Sequence, residues 1–355
     1  MLPTVRFKER PEDFVVDEIP AYPASGEGDH LFVTFRKVGL NSQDAVTRLA
    51  KALGAPIREA GIAGMKDKVA VTTQTASFPL PRGVDPAPLL APFTGPELAV
   101  LDAKRHTNKL KPGHLDGNRF SIWLRGLSDE SYSSIEDNLA RVAKLGFPNY
   151  FGAQRFGRAR DNAARALAFV RGDAPVPRDK KQLRFLFSAL QSELFNRVLE
   201  LREKDGTFAR VLEGDLAKKR DTGGLFLVDA RALAETEERA RTLEVSATGP
   251  MFGASMRSPE GVPLAIEQGV LASSGISEAD LHRFRQAGEG TRRPLRLVAT
   301  DLGWSRSGAD LHVSFVLPKG GYATTLLESV CVLAEPVRGA PGGGETEENP
   351  SASDA

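Results

Sequence analysis

Ala63-Gly64-Met65-Lys66-Asp67-Lys68 leads directly into Val69-Ala70-Val71-Thr72-Thr73-Gln74. Two glycines, Gly61 and Gly64, loosen the approach, and the β-branched run that follows reads as a strand from Val69 to Phe78. At the mouth of that strand one carboxylate, Asp67, sits between two lysines. Neighbouring cations stabilise negative charge on it, the form in which a carboxylate acts as a nucleophile. A solvated surface turn would give the same pattern, so the motif gains weight only from its company elsewhere in the chain.

Working outward, Phe14–Ile19 and Leu31–Phe35 read as strands separated by the turn-rich stretch Pro23 to Gly28. Asn41 or Ser42 can cap a helix with an apolar face of Val46, Leu49, Ala50 and Leu53, ended by Gly54. Further strands are expected at Leu98–Leu101, Phe120–Leu124, Leu295–Ala299 and Leu311–Leu317. Helices are expected at Ser133–Leu145, Asp161–Val170, Ser188–Arg202, Leu264–Ser273, Ser277–Ala287 and Ala323–Leu333. Strands and helices mix without regular alternation, which indicates an α+β fold rather than a doubly wound sheet. Gly172, Pro175 and Pro177 interrupt the helical pattern, and strand character returns after Pro294. These breaks predict a discontinuous first domain (1–174 and 298–336) with a second domain (175–297) inserted in it. Residues 337–355, rich in Gly and Pro and then acidic, are expected to be disordered.

A chain of 355 residues exceeds what one hydrophobic core usually organises. Its 41% hydrophobic and 26% charged residues are those of a soluble globular protein. It contains no run of eighteen apolar residues and no apolar segment near the N-terminus, so a membrane span and a secretory signal are not expected. With Cys331 as its single cysteine there is no internal disulfide, and a cytoplasmic location follows. The net charge of +1 hides an asymmetry, because the tail from Arg338 onward carries one basic and four acidic residues and the remainder is +4. Basic residues cluster at Arg105, His106, Lys109, Lys111 and His114. Further clusters are Arg155, Arg158 and Arg160; Arg178, Lys180, Lys181 and Arg184; and Arg292, Arg293 and Arg296. Aligned on one face, such groups would track phosphates; scattered, they are solvated surface.

Three further segments combine unusual chemistry. Lys8-Glu9-Arg10-Pro11-Glu12-Asp13-Phe14 sets a cation ahead of a rigid proline. Asn149-Tyr150-Phe151-Gly152-Ala153-Gln154-Arg155-Phe156-Gly157 mixes aromatics, amides and an arginine, the groups needed to stack on a planar base and hydrogen-bond its edge. Leu317-Pro318-Lys319-Gly320-Gly321-Tyr322-Ala323-Thr324 sets an aromatic after a glycine pair. With Gly26–Val33 (GEGDHLFV) and Leu110–Ile122 (LKPGHLDGNRFSI), these segments and the Asp67 motif resemble the TruD family of tRNA pseudouridine synthases, from near the N-terminus to about Ser329.

The resemblance implies isomerisation of a uridine in tRNA, at position 13, to pseudouridine, with no cofactor and no metal. It implies a pseudouridine-synthase-type catalytic domain on a mixed, mainly antiparallel sheet, circularly permuted, with an inserted α+β TRUD domain. It makes Asp67 the nucleophile, attacking the sugar C1′ or the base C6. Phe151 would stack on the uracil, Asn149 is the adjacent amide, and Lys8 pairs with the carboxylate. Phe14 and Tyr322 complete the expected substrate-binding set. Arg105, Lys109, Lys111 and Arg155 are the candidates for RNA binding. One departure stands out: where the family usually carries Arg-Glu in its last helix, this chain has Glu328-Ser329. The residues alone also fit a non-catalytic RNA-binding protein on the same scaffold, or the same chemistry on another RNA. A monomer is expected, since no apolar heptad stands out. Zinc, Walker A, dinucleotide and G-x-S-x-G signatures are missing from the sequence.

Overall fold

The structure is a computed structural model that describes residues 2–157 and 159–336. The chain opens with β1 (Thr4–Phe7), β2 (Phe14–Pro20), β3 (His30–Val38), α1 (Ser42–Leu53), β4 (Gly61–Ile62) and β5 (Val71–Pro79). There follow α2 (Ala87–Leu90), β6 (Leu98–His106), β7 (Leu115–Arg125), α3 (Asp129–Leu145), β8 (Phe147–Pro148), α4 (Asn162–Arg171) and α5 (Lys180–Lys204). Next are β9 (Leu216–Lys219), β10 (Leu225–Leu227), α6 (Leu233–Arg241), β11 (Val245–Met251), α7 (Gly261–Ser273), α8 (Glu278–Arg283), β12 (Thr291–Pro294) and β13 (Arg296–Leu297). The described chain ends with β14 (Thr300–Ser307), β15 (Asp310–Pro318), α9 (Ala323–Glu328) and β16 (Val332–Ala334).

Two compact units emerge. The first takes in the chain up to Asp137, Ala299–Ala323 and the chain from Val330 onward. It is built on one sheet of order β14-β15-β7-β2-β5-β3-β6, with β1 between β7 and β16 and β4 on β5. The β1–β16 and β2–β5 pairs are parallel and the others antiparallel, the mixed, mainly antiparallel α+β arrangement that the family resemblance implies. Along β3 the residues alternate, and Leu31, Val33 and Phe35 meet Val46, Leu49, Ala50 and Leu53 of α1 in a shared core. Each Val, Leu or Phe among them contributes roughly 1.5–3 kcal/mol on burial. The α1 helix is set by its ends: Asn41 Oδ1 accepts from Asp44 N, and Gly54 closes it at φ 65°, the left-handed conformation.

The second unit comprises Asn138–Val298 and Thr324–Ser329. It holds a four-stranded sheet of order β10-β9-β11-β12 and a β13–β8 pair. The sequence places a break at 174/175, whereas by packing this unit starts earlier. Ala166, Phe169 and Val170 of α4 are buried with Leu186, Phe187 and Leu190 of α5, so the segment before the Pro-rich break belongs to the same core.

Several elements differ from expectation. The last helix, expected to reach Leu333, stops at Glu328. Val332–Ala334 is instead a strand paired with Thr4–Arg6, with the β-branched Val330 just before it and Val332 within it favouring extended backbone. β1 itself is not among the expected strands, being only four residues long. The strand expected from Val69 starts at Val71, which leaves the residues around Asp67 as a loop. Expected strand Leu295–Ala299 is reduced to Arg296–Leu297, and α8 is shorter than expected. The tail expected to be disordered, 337–355, lies outside the described residues.

Candidate active site

Where β1 ends, the backbone turns sharply, and Lys8 adopts φ 55°, a conformation disfavoured for any residue with a β-carbon. The turn is held from below. Arg10 N donates to Asp13 Oδ2 at 3.2 Å, and the fully buried Asp13 Oδ1 accepts from Arg125 Nε and Nη2 at 3.1 and 2.5 Å. Arg125 Nη1 also donates to Asp310 Oδ2 at 2.7 Å, which ties the turn to β15. So anchored, the Lys8 ammonium lies 4.1 Å from the Phe14 ring centroid and 5.2 Å from that of Phe7. From there it donates to Asp67 Oδ2 at 3.0 Å. The Lys8 side chain is 12% exposed and that of Asp67 47%. A covered cation thus backs an open carboxylate.

The loop bearing Asp67 is pinned at three points. A β-carbon on Gly61 would stand 2.1 Å from Leu110 O, so only glycine fits where the loop begins. Lys66 N donates to Ser42 Oγ at 3.0 Å, and that hydroxyl in turn donates to Gln74 Oε1 at 2.8 Å. Lys66 Nζ pairs with Glu18 Oε2 at 2.7 Å in a buried ion pair, and Glu18 Oε1 accepts from Thr75 N at 3.2 Å. Beyond these, Lys37 Nζ donates to the backbone carbonyl of Asp67 at 2.8 Å.

One detail of the sequence expectation is corrected here. Lys66, expected as a cation at the carboxylate, turns its ammonium to Glu18, and it is Lys8 that meets Asp67. Lys37 is a residue of the site that the motifs do not reveal. Its signal lies in the alternation of β3, since Leu31, Val33, Phe35 and Lys37 share the buried face.

Of the other expected residues in the first unit, Phe14 is buried beneath Lys8 and Tyr322 is half exposed. Arg105 donates to the carbonyls of Gly28, Leu80, Pro81 and Val84 at 3.2, 2.9, 3.0 and 2.8 Å, clasping two loops. Lys109 Nζ lies 3.4 Å from Arg58 O, and Lys111 is exposed. A cavity of about 260 Å³ opens beside the Lys66–Glu18 pair, lined by Glu18, Tyr22, Thr34, Lys104 and His114 among others. Its Tyr22 hydroxyl is 2.6 Å from His114 Nδ1 and its ring stacks on His106, whose pKa burial lowers.

Within the second unit, Asn149, Phe151 and Arg155 come together around the β8 end. Asn149 is buried, its Nδ2 donating to Pro294 O at 2.8 Å and its Oδ1 accepting from Arg293 Nη2 at 2.6 Å. The Phe151 ring is buried, edge-on to Phe195, with the Arg293 guanidinium 4.0 Å from its centroid and that of Arg155 at 5.5 Å. The basic cluster at 292–296 is largely internal. Arg292 forms a buried pair with Glu267, whose pKa burial raises, and Arg296 donates to the carbonyls of Leu145, Ala240 and Val245. By contrast Lys180 and Lys181 are exposed at the start of α5.

Among the described residues no group of three or more His, Cys, Asp or Glu is placed to hold a metal ion. Also among them, no helix is long and apolar enough to cross a membrane.

The family model for tRNA pseudouridine synthase D (TruD) matches residues 4–175 and 176–330. A curated relative named tRNA pseudouridine synthase D from Anaeromyxobacter dehalogenans is 44% identical over 328 residues, covering 91% of this chain and 92% of its own. A protein of the same name from Thermus thermophilus is 42% identical over 320 residues, covering 90% and 86%. A solved structure from Methanosarcina mazei that carries the TruD name superposes with a TM-score of 0.75 at 22% identity, over 93% of this chain and 94% of that one. At that identity the likeness speaks for the fold.

Proposed function

The chain belongs to the tRNA pseudouridine synthase D family, and on that premise we propose that it isomerises a uridine of tRNA to pseudouridine with Asp67 as the nucleophile. The observation that carries the proposal is the open Asp67 carboxylate held at 3.0 Å by a lysine that is itself mostly covered. A binding module has no use for a carboxylate displayed on a surface that must meet phosphates. A nucleophile needs that geometry, since the attacking oxygen must be reachable while its charge is stabilised from behind.

In the proposed reaction an Asp67 oxygen attacks C1′ of the ribose or C6 of the base, and the N1–C1′ bond breaks. The uracil turns, C5 bonds to C1′, C5 loses its proton, and N1 gains one. Product and substrate have the same atoms, so the reaction needs no oxidant and no second substrate. As Asp67 gives up its negative charge in the adduct, Lys8 remains against Phe14 and Phe7, ready to stabilise the carboxylate when it is released. The base must leave its stack to be reached, at a cost of a few kcal/mol. The family resemblance supplies the remaining assignments: position 13 as the target, Phe151 as the stacking aromatic worth roughly 1–3 kcal/mol, and Asn149 and Tyr322 as substrate contacts. For a base to stack on the face of Phe151 that Arg293 covers, the guanidinium has to swing aside, and an arginine is able to stack on the base in turn.

The test compares wild type with Asp67→Asn. Pseudouridine in an unmodified tRNA transcript is mapped by carbodiimide labelling and primer extension, and tRNA binding is measured in parallel. The variant should bind tRNA and form no pseudouridine. Equal activity of the two proteins would remove Asp67 from the mechanism.

A further inference from the structure

Building on this function, we infer that Lys37 is a positioning residue for the nucleophile, its ammonium pinning the catalytic loop at the Asp67 carbonyl and facing the Asp67 carboxylate with a buried positive charge. Lys37 continues the row Leu31, Val33 and Phe35 on the core face of β3 and is 0% exposed. Its cross-strand neighbours are Thr72 on β5 and Leu98 on β6, neither of which carries charge. The hydrogen bond of its ammonium is to a backbone carbonyl, that of Asp67, at 2.8 Å. A cation taken out of water without a directly bonded carboxylate is strongly disfavoured.

The electrostatics reflect that penalty. Burial lowers the Lys37 pKa to about 8, the Asp67 charge opposes the drop, and Lys66 adds to it. The charged groups that act on the Lys37 ammonium are therefore Asp67 and Lys66, with Lys8 and Glu18 each one ion pair further out. If Lys37 served only to complete the packing, methionine would fill the same space without the desolvation penalty. What methionine cannot do is grip the residue whose side chain performs the chemistry. A carbonyl and a carboxylate of one residue, both answering to the same buried ammonium, are fixed together, and loss of that grip lets the attacking oxygen drift.

The experiment uses the full chain as wild type, Lys37→Met and Lys37→Gln, each assayed on the same tRNA transcript. Readouts are the single-turnover rate of pseudouridine formation, the tRNA Kd, the thermal midpoint and the pH profile. Lys37→Met should lose about 10- to 100-fold in rate, the scale of an ångström-size misplacement of a reacting group, with Kd within about twofold. Its thermal midpoint should be unchanged or higher, which a purely structural lysine would not give. Lys37→Gln keeps a donor for the carbonyl without the charge and should recover part of the rate. The wild-type rate should fall above about pH 8 as the ammonium is lost, and that alkaline limb should be missing in Lys37→Gln. If Lys37→Met does not accumulate as folded protein, Lys37→Gln carries the same readouts. A Lys37→Met rate within about twofold of wild type, or a loss that parallels falling midpoint and weakening Kd, overturns the inference. A wild type that forms no pseudouridine would instead overturn the functional reading itself.

Discussion

Lys8 is held left-handed at φ 55° with its ammonium on the Asp67 carboxylate, a backbone state that disfavours a residue with a β-carbon by roughly 1–2 kcal/mol. Glycine would relax the backbone and remove the ammonium together. Lys8→Gly should therefore leave the thermal midpoint unchanged or slightly raised while the rate of pseudouridine formation falls by on the order of 100-fold; a midpoint and a rate that fall in step would show that Lys8 is there for folding. For Lys37 the folded pKa of about 8 lies below the ordinary lysine value of 10.5. The unfolded chain therefore binds more protons than the folded one between those pH values. The penalty is present in full below pH 8, and this contribution to stability rises as pH climbs from about 8 to about 10.5, by roughly 3 kcal/mol in total. Urea denaturation at pH 7 and pH 10 should show the gap between Lys37→Met and wild type narrowing at the higher pH. A gap that stays constant would mean that the ammonium is not desolvated.

At the scale of elements, much is legible in the sequence. The Asn41 cap, the Gly54 stop and the apolar face of α1 all follow from local rules, since each depends on neighbours in sequence. The candidate nucleophile is legible only through its resemblance to the family motif, because a carboxylate flanked by cations fits a solvated turn equally well. What the letters hide is direction. Nothing in Lys66-Asp67-Lys68 says that Lys66 reaches back to Glu18, and a loop has no period from which to infer it. The β1–β16 pair is hidden for a similar reason: each strand is only three or four residues long, and they meet across almost the whole sequence. That pairing holds the strand from which Lys8 emerges. Val332 N donates to Pro3 O at 2.9 Å, so Val332→Pro deletes the bond and should weaken this edge by about 1–3 kcal/mol. Amide hydrogen exchange in β1 should quicken, and the catalytic rate should fall with little change in the protection of α5. Unchanged exchange in β1 would disconnect the pair from the site.

Across the whole molecule, basic residues divide into those that hold the fold and those that face water, a division composition could not make. Arg105, Arg292 and Arg296 are directed at carbonyls or at a buried carboxylate, whereas Lys180 and Lys181 at the start of α5 have their charges outward. If that pair meets tRNA phosphates, Lys180→Glu combined with Lys181→Glu should weaken tRNA binding about tenfold at moderate salt. It should also lower the slope of log K against log salt by about one for each phosphate no longer neutralised. An unaltered slope would move the RNA-binding surface elsewhere. The buried lysine at the end of the β3 row has a consequence for anyone who breeds this protein in the laboratory. A library screened only for survival after heating would be drawn to an aliphatic residue at that position, and on the role inferred for Lys37 it would return a sturdier population with a slower reaction.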